Sequence, residues 1–264
     1  MGSLFESSSW VVSSLLVVVP FTVLCLVILW IARKKLSRTE LKKHHDVAGF
    51  TFSIIGVLYS VILGFTVINV QNRYNTIQES IHTEAILLAD LYQNASYFSV
   101  NERNEIRASL RKYINYVVKE EWWHAGDKTI DVGARVYIRA IWDSYFKVNL
   151  KNEKMTLWYT ESISKLDSFL NSRLTRQFNS IVHLGGMMWS LLILGAIITI
   201  GFMFFFGLEN PRSHMLMTAL LAGYISFMLY LVYSLDNVFK GPQRIKPTAL
   251  EQVYVLFDQW DQEN

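Results

Sequence analysis

Apolar positions along the chain gather into four uncharged runs: Trp10 to Ala32, Val47 to Val70, Leu184 to Leu208 and His214 to Leu235. At about 1.5 Å of rise per residue, each predicts a helix long enough to cross a hydrocarbon core of about 30 Å. Between the second and third runs the pattern turns amphipathic, with a helical period and almost no strand alternation. No Pro lies between Val47 and Phe98, and no Gly follows Gly64 in that stretch. The second span is therefore expected to continue as helix into the aqueous sequence. There Ile77, Ile81, Ala85, Leu88, Leu91, Ala95 and Phe98 keep one apolar seam, which needs a partner.

Three further helices are predicted before the third span. Ser99 to Glu102 is a capping-box pattern that opens the first, with Ile106, Leu110, Tyr113 and Val117 on its buried face and an end near Trp123. The next runs from about Ala134 to Lys147. The last carries Ile163, Leu166, Leu170, Leu174 and Phe178 inward. After the fourth span, Lys240 to Pro247 reads as a basic, Pro-broken linker. Thr248 to Glu251 again resembles a capping box, and Leu250, Val253, Tyr254, Phe257 and Trp260 give a tail helix one apolar face. The fold class is thus an all-α membrane protein with two plus two spans and an inserted helical aqueous domain. Its segments are a first membrane hairpin at 1–71, the aqueous domain at 72–183, a second hairpin at 184–236, and linker and tail at 237–264.

Composition narrows the function classes. Apolar residues make up 52% of the chain, with four Pro and one Cys, which describes an integral membrane protein rather than a soluble enzyme. The first run lacks a basic n-region, exceeds signal-peptide length and is followed by Arg33, Lys34 and Lys35, so it is expected to remain as an anchor. Cys25 lies inside that span, so disulfide and zinc chemistry are not expected, nor is any other metal or cofactor. The net charge of +3 is spread among acids and is not gathered into a nucleic-acid patch. Lys and Arg flank the spans almost evenly on both sides, so charge asymmetry leaves the orientation of the aqueous domain open.

The second span carries the candidate chemistry. Gly49, Ser53, Gly56, Ser60 and Gly64 recur at steps of three or four and stack on one face, which admits a close neighbour helix or water. Beside them Val57, Val61 and Phe65 form an apolar ridge, and beyond it come the polar Asn69, Asn72 and Arg73. An apolar ring followed by a polar ring suits a gated pore; helix packing and a plain membrane exit account for the same residues. Asp236 ends the fourth span and is expected to pair with Arg173 or Arg176 at the entry to the third, as a structural salt bridge or a site touching ions. Glu120 to His124 gathers acids and aromatics without a nucleophile or phosphate loop, and reads as a helix end rather than a catalytic site. His44, His45 and Asp46 read as an interfacial loop.

Four segments resemble the bacterial bestrophin-like domain family: Gly49 to Phe65, Glu121-Trp122, Arg173 to Arg176, and Leu235 to Gly241. Leu63-Gly64-Phe65 and Arg73-Tyr74 are also similar to marks of the bestrophin pore helix. The resemblance implies a pentameric ion channel whose hydrophobic neck falls on Val57, Val61 and Phe65. It departs after the last span, where Lys240, Gln243 and Arg244 stand in place of the acidic calcium clasp, and cationic groups do not ligate a hard cation. The expected protein is a multi-pass homo-oligomer of the bacterial inner membrane, a ring in the lipid bilayer that conducts small inorganic ions. The alternative is a non-conducting scaffold or stator-type energy transducer. A proton-driven stator would carry an acidic or polar residue deep in a span, and none of these spans has one at its middle.

Overall fold

A computed structural model describes residues 2–35, 45–126, 131–206, 210–240 and 243–263. The described residues are predominantly helical and contain no strand. They divide into two compact units, Met1–Asn72 with His183–Gln243 and Arg73–Val182 with Arg244–Asn264. Among the described residues four helices are long and apolar enough to cross a membrane.

The first unit holds α1 (Gly2–Lys35), the opening part of α2 (His45–Asn94), α6 (Gly186–Phe205) and α7 (Pro211–Asp236). Its core contains Cys25, Tyr59, Leu63, Leu192, Ala196, Ile225 and Val232. α7 starts where sequence chemistry dictates: Pro211 needs no N–H donor in the first turn, and the Asn210 side chain accepts from Arg212 N at 3.0 Å. His214, in the first turns of α7, is buried. Its Nε2 lies 2.7 Å from the Met203 carbonyl and its Nδ1 2.7 Å from Arg33 Nη1. That geometry assigns a neutral ring, with Nε2–H donating and Nδ1 accepting.

The second unit holds the rest of α2, then α3 (Val100–Tyr116), α4 (Arg135–Phe146), α5 (Glu153–Ile181) and the tail helix α8 (Thr248–Glu263). Ser99 starts α3 as expected, its N–H donating to Glu102 Oε2 at 2.9 Å. Asn152 caps α5 by accepting from Met155 N at 2.8 Å. α3 runs on through a π-helical turn at Val117–Glu121 and one α turn at Trp122–His124. In that last turn Trp122 is buried, with Nε1–H donating to Ile245 O at 3.1 Å, while Trp123 faces out.

The apolar seam that runs along α2 and on to Phe98 is satisfied inside one chain. Its seven residues are at most 7% exposed, as are Ile106, Leu110, Tyr113 and Val117 of α3 and Leu166 and Phe169 of α5. The seam therefore does not call for a second subunit. The buried face of α5 also lies round from the predicted one. Leu174 and Phe178 are 45% and 53% exposed, whereas Ser172, Arg173, Arg176 and Gln177 point inward. Charge sets this rotation, because carboxylates on α2 and α3 take the arginines into the core.

The candidate pore face and the buried charge cluster

On α2 the inward face of the membrane segment is set by Tyr59, Leu63, Thr66 and Val70, all at most 7% exposed. Tyr59 packs on α6 at Gly195, where a Cβ would fall 2.3 Å from the ring. The opposite face carries the ridge: Val57 is 62% exposed, Val61 49% and Phe65 69%. Ile54 and Ile68 share that open side, so the uncovered apolar face is broader than three residues. Asn69 and Asn72 continue it as exposed amides.

The small-residue positions flank the ridge. A Cβ at Gly56 or Gly64 would meet nothing within 4 Å, and one at Gly49 would touch only Phe206 at 3.8 Å. Ser53 and Ser60 turn their hydroxyls back to their own helix, donating to Gly49 O at 2.9 Å and Val57 O at 2.8 Å. Among the described residues no helix packs against this stripe at Gly56 and Gly64, and the Ser53 and Ser60 hydroxyls are satisfied locally.

Arg73, grouped by sequence with the polar ring, donates from Nη1 to Val182 O at 2.6 Å. Val182 is the C-cap of α5, so the guanidinium neutralises the negative end of that helix.

Arg173 and Arg176 meet different acids from the one expected. Arg173 holds Glu121 in a fork, Nη2 to Oε2 at 2.6 Å and Nη1 to Oε1 at 3.1 Å, and also donates to Tyr113 Oη at 2.7 Å. Arg176 donates to Glu84 at 2.8 and 3.2 Å and to Glu121 at 3.0 Å. Tyr113 in turn donates to Glu84. Asp236 belongs to the first unit, where its carboxylate accepts from Leu184 N at 2.8 Å and its carbonyl lies 3.1 Å from His183 Nδ1. The i, i+3 spacing puts the two arginines on one face of α5, and their acids come from other helices.

All five groups of the cluster are nearly or fully buried. Burial alone would lower Arg173 and Arg176; Tyr113 and Glu121 beside the first, and Glu84 and Glu121 beside the second, raise both above the ordinary arginine value. Burial raises the Tyr113 hydroxyl well above its usual value, and the Glu84 charge adds to this. Two carboxylates against two guanidiniums leave the cluster neutral, with Tyr113 a proton donor throughout the physiological range. Glu84 was not singled out by sequence reasoning. The available signal was a charged residue placed on the apolar seam between Ile81 and Leu88.

The Bestrophin-like domain matches residues 19–250, most of the chain. The chain belongs to that family. No curated protein matches its sequence. A solved crystal structure, described as that of a membrane protein, superposes with a TM-score of 0.70 over 92% of this chain and 97% of its own, at 12% identity. At that identity the likeness establishes a shared fold. This Bestrophin-like chain is thus a multi-span, all-helical membrane protein, with an uncovered apolar face on α2 and, in its second unit, a neutral buried charge cluster.

Proposed function

We propose that this Bestrophin-like protein assembles as a ring of five copies in the bacterial inner membrane and conducts small ions along an axis lined by α2. One observation carries the reading: Val57, Val61 and Phe65 stand uncovered on the side of α2 opposite its packed face. On that side the apolar ridge is followed by the amides of Asn69 and Asn72. Five such ridges brought to one axis form a hydrophobic neck, and a neck of that kind holds water out and gates by dewetting. The open Gly56 and Gly64 positions give neighbouring copies a surface for close approach.

The test is ion flux from liposomes. Val57→Ala, Val61→Ser and Phe65→Ala each widen or wet the neck and are expected to raise flux several-fold. Leu63→Ala, on the packed face, is expected to lower stability and leave flux per assembled particle unchanged. Ridge variants with intact assembly and unaltered flux would remove the pore from α2.

A further inference from the structure

In the second unit, α3 carries Arg103, Arg107 and Arg111 at intervals of four, which stacks three guanidiniums on one face. They line a cleft of about 340 Å³ together with Asn104, Tyr92 and Asp261 of the tail helix. Two of the three are already engaged. Arg107 donates to Asp261 Oδ1 at 2.9 Å, Ser96 Oγ at 2.8 Å and Tyr92 O at 3.4 Å. Arg111 donates to Asp258 Oδ1 at 2.6 Å, Asp261 Oδ2 at 2.8 Å and Tyr92 Oη at 3.0 Å. Each has thereby used three of its five N–H donors.

Arg103 is different. Its Nε is buried without a hydrogen-bond partner. Asp258 and Asp261 pair with Arg107 and Arg111, and Arg103 adds a further positive charge to the same cleft. The rest of the Arg103 guanidinium lines the cleft with no acceptor of its own among the described residues, and such a fork binds an anion by charge-assisted hydrogen bonds.

We propose that this cleft is a binding site for a small phosphate-bearing anion. The guanidinium fork of Arg103 and the remaining donors of Arg107 would take the oxygens, and the Asn104 amide would add a neutral donor. Arginine forks match tetrahedral oxyanions, and a charge-assisted bond is stronger than a neutral one. Asp261 sets the selectivity. Its carboxylate holds one side of the cleft, so the ligand must bring enough charge to bind beside it. The site lies within the second unit and does not depend on the channel reading.

The experiment is calorimetric titration of inorganic pyrophosphate into the full-length protein in phosphatidylcholine nanodiscs. Saturable binding is expected, weakening as ionic strength rises. Arg103→Gln should reduce affinity about tenfold or more, Arg103→Lys should fall between, and Arg139→Gln, an exposed cation on another helix, should change nothing. Among the described residues Arg103 makes no side-chain hydrogen bond that its replacement would break, so these variants are expected to fold. A second titration in nanodiscs containing phosphatidylglycerol separates the source. Unchanged affinity assigns the site to a free anion and weakened affinity to a lipid headgroup, and either upholds a phosphate site. No saturable binding up to about 10 mM, or equal affinity in wild type and Arg103→Gln, overturns the proposal.

Discussion

Tyr59 and Gly195 interlock: the ring lies where any side chain at residue 195 would have to go, with Cδ2 only 2.3 Å and Cε2 2.6 Å from the position of a Cβ. The contact fixes the rotation of α2 against α6, and so decides which residues are left on its open side. Gly195→Ala drives a methyl into an aromatic ring held by the core, an overpacking expected to cost about 1–3 kcal/mol. A lowered apparent Tm in detergent is expected, with partial recovery in the double variant Tyr59→Leu/Gly195→Ala. Equal stability of Gly195→Ala and wild type would mean that the two helices slide freely past each other.

The buried cluster predicts strong coupling. Removing one partner leaves an uncompensated charge in the core, so Glu121→Gln and Arg176→Met should each destabilise by about 3–5 kcal/mol. The double variant should lose clearly less than the sum, because the second change removes the charge orphaned by the first. Denaturant or thermal unfolding of the four proteins in one cycle measures it, and strict additivity would place Glu121 outside the cluster.

The tail helix is held through charge and should respond to acid. Tyr92 stacks on Phe257 at 3.7 Å between ring centres, and Tyr92 Oη donates to Asp261 at 2.6 Å. Partial burial raises the Asp261 carboxyl, but Tyr92, Arg111 and Arg107 outweigh it and lower the pKa from the ordinary 3.8. A lowered carboxyl contributes stability that is full above the unfolded value and is lost as the pH falls through the folded one. Detachment of residues 248–263 is therefore expected only below pH 3.8. At neutral pH, Asp261→Asn should mimic it in part, a loss of about 1 kcal/mol, or roughly fivefold less hydrogen-exchange protection in the tail. Unchanged protection would show that Phe257 and its apolar neighbours hold the tail alone.

The four spans, the unbroken passage of α2 out of the apolar segment and the start of α3 were legible because each is written in local pattern: uncharged length, absence of breakers, a cap with its acid three residues on. The cluster was not, because pairing acids on α2 and α3 with arginines on α5 is a property of helices brought together from distant sequence. Leu174 and Phe178 show the same limit. Their spacing suits a buried stripe, but the desolvated arginines next to them took the inward positions and turned the leucine and phenylalanine out. The π turn at Val117–Glu121 has no pattern that period analysis detects, yet it supplies Glu121 to both arginines. For the ridge, the pattern placed Val57, Val61 and Phe65 on one side but not its width, since Ile54 and Ile68 belong to it too.

On the channel reading, the open side of α2 faces a symmetry axis shared by copies of this chain. Particle imaging of the detergent-solubilised protein tests both halves at once. A ring of five is expected, in which α2 is the innermost membrane helix and Val57, Val61 and Phe65 make the narrowest constriction. A monodisperse monomer, or a ring in which those three residues face lipid, would contradict it.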